Sequence, residues 1–344
     1  MVMKNDVKIK RKVDAELLKW KLDSDGKTAA LISGARRVGK SYAAENFAKK
    51  NYASYILIDF SAVEDEVRDL FLYQSNDLNA FFGMLQAIRN VKLIERQSVI
   101  IFDEVQLFPK AREMIKRLVA DRRYDYIETS SLLSIKKNTE NILIPSEERE
   151  INMYPLDFEE FLWANGHEML FDIVKKCFEE LKPMEESLHR RFMSLFRQYL
   201  IVGGMPQAVL EYVGSHDFAK VDDVKRDILH LYRDDIYKHG GNNSERIEQV
   251  YNTLPTQLAQ ANKRFMFSVI SDDARYREYA EALLWLADSR TVNICYNTTE
   301  PTVGLMTRMD MAAFKCYQAD TGLLISQSFA KKILSKEEDR KSVV

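Results

Sequence analysis

Eight residues, Gly34-Ala35-Arg36-Arg37-Val38-Gly39-Lys40-Ser41, constrain this chain more than any other stretch. A glycine, four free positions and then Gly-Lys-Ser is the spacing of a phosphate-binding loop. The flanks fit as well. Ala29 to Ile32 predicts a short buried strand, and Ser41 to Lys50 a helix carrying Ala43, Ala44, Phe47 and Ala48. Glycines let the backbone turn tightly so that successive N–H groups face phosphate oxygens, and the helix N-terminus adds its positive end. On this reading Gly34, Ala35, Arg36, Arg37, Val38, Gly39, Lys40 and Ser41 form the phosphate cradle. Lys40 reaches the β- and γ-phosphates and the Ser41 hydroxyl binds Mg²⁺. A chance glycine turn ahead of a helix would show the same letters, so a second motif is needed.

Ser98-Val99-Ile100-Ile101-Phe102-Asp103-Glu104 supplies it. An apolar run ending in adjacent acids predicts a buried parallel strand with carboxylates at its C-terminal edge, where open α/β sheets place their ligands. Asp103 is placed to hold Mg²⁺ through water, and Glu104 to orient and polarise an attacking water. Tyr124 to Thr129 predicts a further core strand. Its end, Thr129-Ser130-Ser131, offers hydroxyls beside the acids, which suits either a γ-phosphate sensor or plain turn chemistry after a strand. Catalytic candidates are therefore Lys40, Glu104 and Thr129. Ser41 and Asp103 are the metal candidates, and ATP with Mg²⁺ the expected ligands.

The 344 residues allow two or three domains, and 46% hydrophobic with 30% charged residues is a soluble globular composition. A net charge of −2 excludes a polycation built for nucleic acid. Cys177, Cys295 and Cys316 are scattered and odd in number, which suits a reducing compartment. The charged start of the chain offers no apolar signal segment, and no run approaches the ~20 apolar residues of a membrane helix. The expectation is a cytoplasmic protein without a membrane partner. Asp14 to Trp20 and Ala80 to Glu95 predict helices, Tyr55 to Phe60 a strand, Lys110 to Asp121 a helix, and Arg149 to Met153 a last strand before Pro155.

From Asp157 the pattern turns helical: Asp157 to Ala164, Met169 to Leu181, Glu185 to Val202 and Phe218 to Lys238, with a break at Gly203-Gly204-Met205-Pro206. Gly240 to Ser244 reads as the clearest linker. Ser244 to Gln260 and Asp272 to Ser289 predict helices, and Thr291 to Tyr296 and Phe314 to Tyr317 strands, together suggesting a winged helix. Asp272, Asp273, Glu278, Glu281 and Asp288 outnumber Arg275, Arg277 and Arg290 there, so phosphates would be repelled. DNA as a partner is therefore not supported by local charge, and a packing role or a protein partner fits better. Residues 327–344 read as a disordered tail. The five histidines, His167, His189, His216, His230 and His239, show no zinc spacing.

Taken together these residues resemble the bacterial and archaeal AAA-type ATPases that carry a C-terminal domain of unknown function. The likeness rests on Gly34 to Ser41, Ile100 to Leu107, Tyr126 to Thr129, Ile144 to Phe161, Gly203-Gly204-Met205-Pro206 and Asp320-Thr321-Gly322-Leu323. Tyr154-Pro155-Leu156-Asp157-Phe158-Glu159-Glu160-Phe161 is its most specific string. The resemblance implies an α/β fold: a three-layer P-loop NTPase core of AAA type with a parallel sheet, then a helical lid and a winged-helix-like domain. It assigns residues 1–154 to the core, 155–240 to the lid and 241–326 to the winged helix. It implies that Thr129 is the sensor and that Pro206 packs on the adenine. Ser130 stands where relatives usually have glycine. Relatives also continue past Leu323 into a nuclease-like domain, whereas this sequence stops at Val344. An arginine finger is unplaced; Arg122 and Arg123 are the candidates, with a solvated helix end the plainer role for both.

The expected activity is Mg²⁺-dependent ATP hydrolysis coupled to lid and winged-helix motion. The alternatives are a nucleotide-gated switch with little turnover, acting on a protein, on DNA or by self-association, and an inactive remnant of a longer ATPase.

Overall fold

A computed structural model describes residues 9–131, 146–298 and 304–329. Most of the expected disordered tail, and Ile144 and Pro145 of the resemblance, lie outside the described residues. The described residues divide into two compact units, one within 11–154 and one within 155–329 that also takes in residues 9 and 10.

Five parallel strands form the sheet of the first unit: β1 (Ala29–Gly34), β2 (Ser54–Asp59), β3 (Ser98–Asp103), β4 (Asp125–Ser130) and β5 (Glu148–Met153). Their order is β2-β3-β4-β1-β5. β1, β3 and β4 are buried along their whole length, whereas the edge strands β2 and β5 are only partly covered. That is why β1 and β3 read as near-continuous apolar runs. Helices α1 (Val13–Ser24) and α2 (Lys40–Asn51) cover one face; α3 (Asp65–Tyr73), α4 (Leu78–Arg89) and α5 (Pro109–Asp121) cover the other. On the latter face the Phe71 ring centroid lies 5.1 Å from that of Phe81 and 5.7 Å from that of Phe102. The result is a three-layer α/β fold.

Two local features depart from expectation. α3 is a helix the periodicity also allowed, since Val67, Leu70 and Phe71 share one face, but four interleaved charges hide it. α4 stops at Arg89 because Asn90 takes φ 48° and its N–H turns back to the carbonyls of Gln86 and Ala87, so Leu93 packs from the following turn. Arg122 closes α5 in the same left-handed way, at φ 60°. Arg123 donates to both carboxylate oxygens of Asp121, at 2.6 and 3.0 Å, and to Asn79 at 2.9 Å.

In the second unit α6 (Phe158–Ala164), α7 (Glu168–Glu179), α8 (Glu186–Val202), α9 (Pro206–Ser215), α10 (Phe218–His239), α11 (Ser244–Ala259), α12 (Tyr276–Asp288) and α13 (Thr321–Ser328) accompany an antiparallel ribbon, β6 (Val292–Thr298) with β7 (Met309–Gln318). α9 goes unread in the sequence because the Gly203–Pro206 break is also a helix start, with Pro206 at the first helical position. Gly240 to Ser244 is a tight joint rather than a loose linker: Ser244 is buried and its hydroxyl donates to the Ile236 carbonyl at 3.1 Å.

The glycines of the break serve close packing. The buried Asp320 carboxylate accepts from the Gly204 N–H at 2.6 Å and from the Leu323 N–H at 2.8 Å, capping α13. A Cβ on Gly203 would stand 2.3 Å from Asp320 Oδ1, one on Gly204 2.0 Å from the Leu156 carbonyl oxygen, and one on Gly322 2.3 Å from that of Val202. Burial raises the Asp320 carboxyl pKa against the pull of these donors. Lys225, donating to the Ile201 carbonyl at 2.8 Å, is pushed down to about 8 by burial, with Asp222 and Asp320 opposing.

One acid in the first unit has no such partner. Glu128 on β4 is fully buried, and among the described residues neither of its carboxylate oxygens has a hydrogen-bond donor. Burial, reinforced by Glu148 and opposed by Arg112, raises its pKa well above the usual range. The folded state therefore holds a proton that the unfolded chain releases, and stability falls as pH rises above the ordinary glutamate value.

Two measurements check these points. By thermal unfolding, Gly204→Ala should lose about 3 kcal/mol or more by overpacking against backbone. Gly214→Ala, in α9 with open space around it, should gain about 0.5–1 kcal/mol. Glu128→Gln should exceed wild type in stability at pH 7.5 by roughly 1–3 kcal/mol, the scale of an unsatisfied buried polar group, and converge with it towards pH 4. Parallel pH–stability curves would contradict the assignment of a buried neutral acid.

Candidate active site

The strand order decides what can meet. β4 lies between β1 and β3, so its C-terminal residues stand between the phosphate-loop candidate and the acids. Register pairs Ile32 with Thr129, and Phe102 with Glu128, bringing all three strand ends to one edge.

In the loop, Gly39 takes φ 94° and Arg37 φ 70°, so the backbone turns through two left-handed positions before α2 begins at Lys40. Gly34 is required for another reason: a Cβ there would sit 2.1 Å from the Met153 carbonyl oxygen on β5. Arg11, unremarked in the sequence, donates from Nη1 to the Val38 carbonyl at 3.0 Å and from Nη2 to the Tyr154 carbonyl at 2.6 Å. It pins the loop to the end of the sheet. Ala35 and Val38 are buried, whereas Arg36 and Arg37 are exposed at the tip.

Lys40 is 5% exposed, and its Nζ donates to the carbonyls of Gly34 at 3.1 Å and Ala35 at 3.0 Å. Burial lowers its pKa; the charges of Glu104 and Asp103 oppose the shift, and Arg36 adds to it. The lysine and both acids thus act on one another in one site, although they come from separate elements. Ser41 follows on the first turn of α2.

Across β3 and β4 the hydroxyl of Thr129 donates to Asp103 Oδ1 and accepts from the Glu104 N–H at 3.1 Å. A threonine hydroxyl has one proton, so in this arrangement Thr129 braces the two acids. Glu104 ends the strand at φ 51°, ψ 46°, a left-handed conformation uncommon for a residue with a Cβ. The turn Val105–Leu107 follows, and Gln106 Nε2 donates to Glu104 Oε2. Ser130 in turn donates to Gln106 Oε1 at 2.6 Å. Gln106 lies within the Ile100 to Leu107 stretch of the resemblance, but the sequence reading gave it no role of its own; its contact with Glu104 appears only in the structure.

This donor set suits a triphosphate with Mg²⁺. A buried ammonium whose hydrogen bonds among the described residues go to neutral carbonyls is ready to exchange them for phosphate oxygens. Asp103 and Ser41 offer the hard oxygens Mg²⁺ takes, and among the described residues no cluster of three or more acids, histidines or cysteines could cage a metal. Mg²⁺ is commonly held in this way, by one or two protein oxygens together with substrate phosphates. The structure brings Lys40, Asp103, Glu104 and Thr129 together in the first unit. Pro206 belongs to the second.

Two family models match the sequence: one described as an AAA domain over residues 26–162, and one described as a domain of unknown function over residues 193–333. No curated protein matches it. Among solved structures, the Aeropyrum pernix Orc1 protein in complex with DNA is similar at 12% identity and a TM-score of 0.35, covering 95% of this chain and 94% of that one. Drosophila ORC bound to DNA is similar at 12% and 0.34, covering 89% and 91%. C. elegans PCH-2 follows at 11% and 0.31, covering 60% and 63%. Similarity at this level carries no functional weight, and the architecture stands on strand order and register. Among the described residues no helix is long and apolar enough to cross a membrane. The chain thus carries an AAA domain over residues 26–162 and, separately, a C-terminal domain of unknown function over residues 193–333.

Proposed function

We propose that the first unit binds ATP with Mg²⁺ and hydrolyses it, and that this drives motion of a lid (residues 155–240) and a winged-helix-like module (241–326). One observation carries the reading: a buried lysine from a phosphate-loop motif shares its electrostatic surroundings with two acids at the end of the next strand but one. On this reading residues Gly34 to Ser41 cradle the phosphates. Lys40 leaves the carbonyls of Gly34 and Ala35 for the β- and γ-phosphates, regaining the charge stabilisation that burial removed. Ser41 and Asp103 would hold Mg²⁺, which supplies charge neutralisation at the phosphates. Glu104 orients water and takes its proton at a carboxylate oxygen, while Thr129 keeps both acids in place.

A nucleotide-gated switch with little turnover is the second reading, favoured by the Glu104 carboxylate being already engaged by Gln106. Its partner would be a protein or a second copy rather than DNA, because α12 and the turn before it are acidic.

Calorimetric titration with ATP and Mg²⁺ beside a steady-state phosphate assay separates these readings. Lys40→Ala should weaken ATP binding about 100-fold or more, the scale of losing a buried charge-assisted contact. Glu104→Gln should keep wild-type affinity and lose about 100-fold or more in kcat. Normal turnover in Glu104→Gln would remove the hydrolase assignment, and a wild type that binds ATP without turnover would leave the switch.

A further inference from the structure

We infer that Gln106 is the positioning residue for Glu104, and that Ser130 anchors the Gln106 side chain; the inference rests on the hydrolase reading above. Glu104 lies just beyond the end of β3, in a left-handed conformation that takes its backbone out of the sheet ladder. Its side chain has three rotatable bonds and would sample several rotamers unless held. Two consecutive residues of β4 hold it. Thr129 accepts the Glu104 N–H at 3.1 Å, which sets where the residue starts. Ser130 acts at the other end, through Gln106.

A primary amide has distinct ends, one accepting and one donating. Here the Ser130 hydroxyl donates to Gln106 Oε1 at 2.6 Å, so the amide nitrogen is turned towards Glu104, where it donates to Oε2. Ser130 is fully buried and Gln106 is 4% exposed, so water competes little for either bond. Reversing the amide would set its carbonyl against the carboxylate and its NH₂ against the serine hydroxyl. The Glu104 carboxylate, which only accepts, disfavours that reversal, and the Ser130 hydroxyl, which can donate or accept, anchors the far end of the Gln106 side chain. Of the two Glu104 carboxylate oxygens, Oε2 carries the amide bond, and Oε1 is assigned to the water. Gln106 therefore acts through Glu104.

The test uses the full chain. Gln106→Met keeps side-chain volume and removes the hydrogen bonds to Glu104 and Ser130, Ser130→Ala removes the anchoring hydroxyl, and the double variant combines them. Steady-state ATPase with Mg²⁺ and calorimetric ATP affinity are measured for each, with thermal unfolding of the ligand-free proteins. Gln106→Met should lose about 10- to 100-fold in kcat, the cost of a misplaced catalytic group, with KM and the ATP Kd unchanged within about twofold. Ser130→Ala should lose less, and the double variant should be no slower than Gln106→Met, because Ser130 acts only through Gln106. Without ligand, the two substitutions should shift the unfolding midpoint non-additively.

Unchanged kcat in Gln106→Met beside an active wild type overturns the inference and leaves the hydrolase reading intact. So does a rise in kcat, which would make Gln106 a restraint on Glu104. Multiplicative losses in the double variant, or additive midpoint shifts, overturn the part assigned to Ser130. A wild type that binds ATP without turnover overturns the hydrolase reading itself, and with it any role of Gln106 in turnover.

Discussion

Placing β4 between the loop strand and the acid strand is the constraint on which the site depends. Lys40 and the acids come from motifs more than sixty residues apart, and in this strand order β4 separates the strands that carry them. The inserted strand brings a threonine hydroxyl between them, donating to Asp103 and accepting from Glu104. It also brings Ser130, whose hydroxyl reaches Glu104 by way of Gln106. Parallel strands end their side chains at a common edge, so inserting one strand adds one set of hydroxyls at the place where two acids would otherwise face each other without a brace.

Close backbone approach is the second recurring device. Gly34 admits the Met153 carbonyl, Gly204 the Leu156 carbonyl, and Gly322 the Val202 carbonyl. In the second unit this joins three distant motifs around one buried carboxylate: Leu156 of the Tyr-Pro-Leu-Asp string, Gly203-Gly204, and Asp320. Asp320 is held by N–H donors and sits near the Lys225 ammonium, so its burial is compensated. Glu128 is the contrast. It shares β4 with the bracing residues, and with no donor for either oxygen among the described residues it is held neutral by burial.

Much of the fold was legible. The apolar runs of β1 and β3 announced buried strands because both faces of a central parallel strand must be covered, whereas β4 is as buried but carries Asp125, Glu128, Thr129 and Ser130. The site motifs were legible because phosphate and metal chemistry demands few residue types at fixed spacing. What stayed hidden was of two kinds. α3 and α9 carried helical signals masked by charges or by an adjacent break. Arg11 and Gln106 carried no signal that spacing could reveal, since each acts on atoms brought to it by other elements.

The sequence by itself determined the strands, most helices, the phosphate-loop motif and the identities of the lysine, the acids and the threonine. Local pattern suffices for these, because periodicity and motif spacing are properties of neighbouring residues. Only the tertiary structure decided that Thr129 braces the acids, that Gly203 and Gly204 make room for Asp320 and Leu156, and that Ser130 reaches Glu104 through Gln106. A hydroxyl or an amide has several bonds open to it along the chain. Which one forms depends on the partner that strand order and burial place within about 3 Å, where a hydrogen bond becomes strong enough to choose.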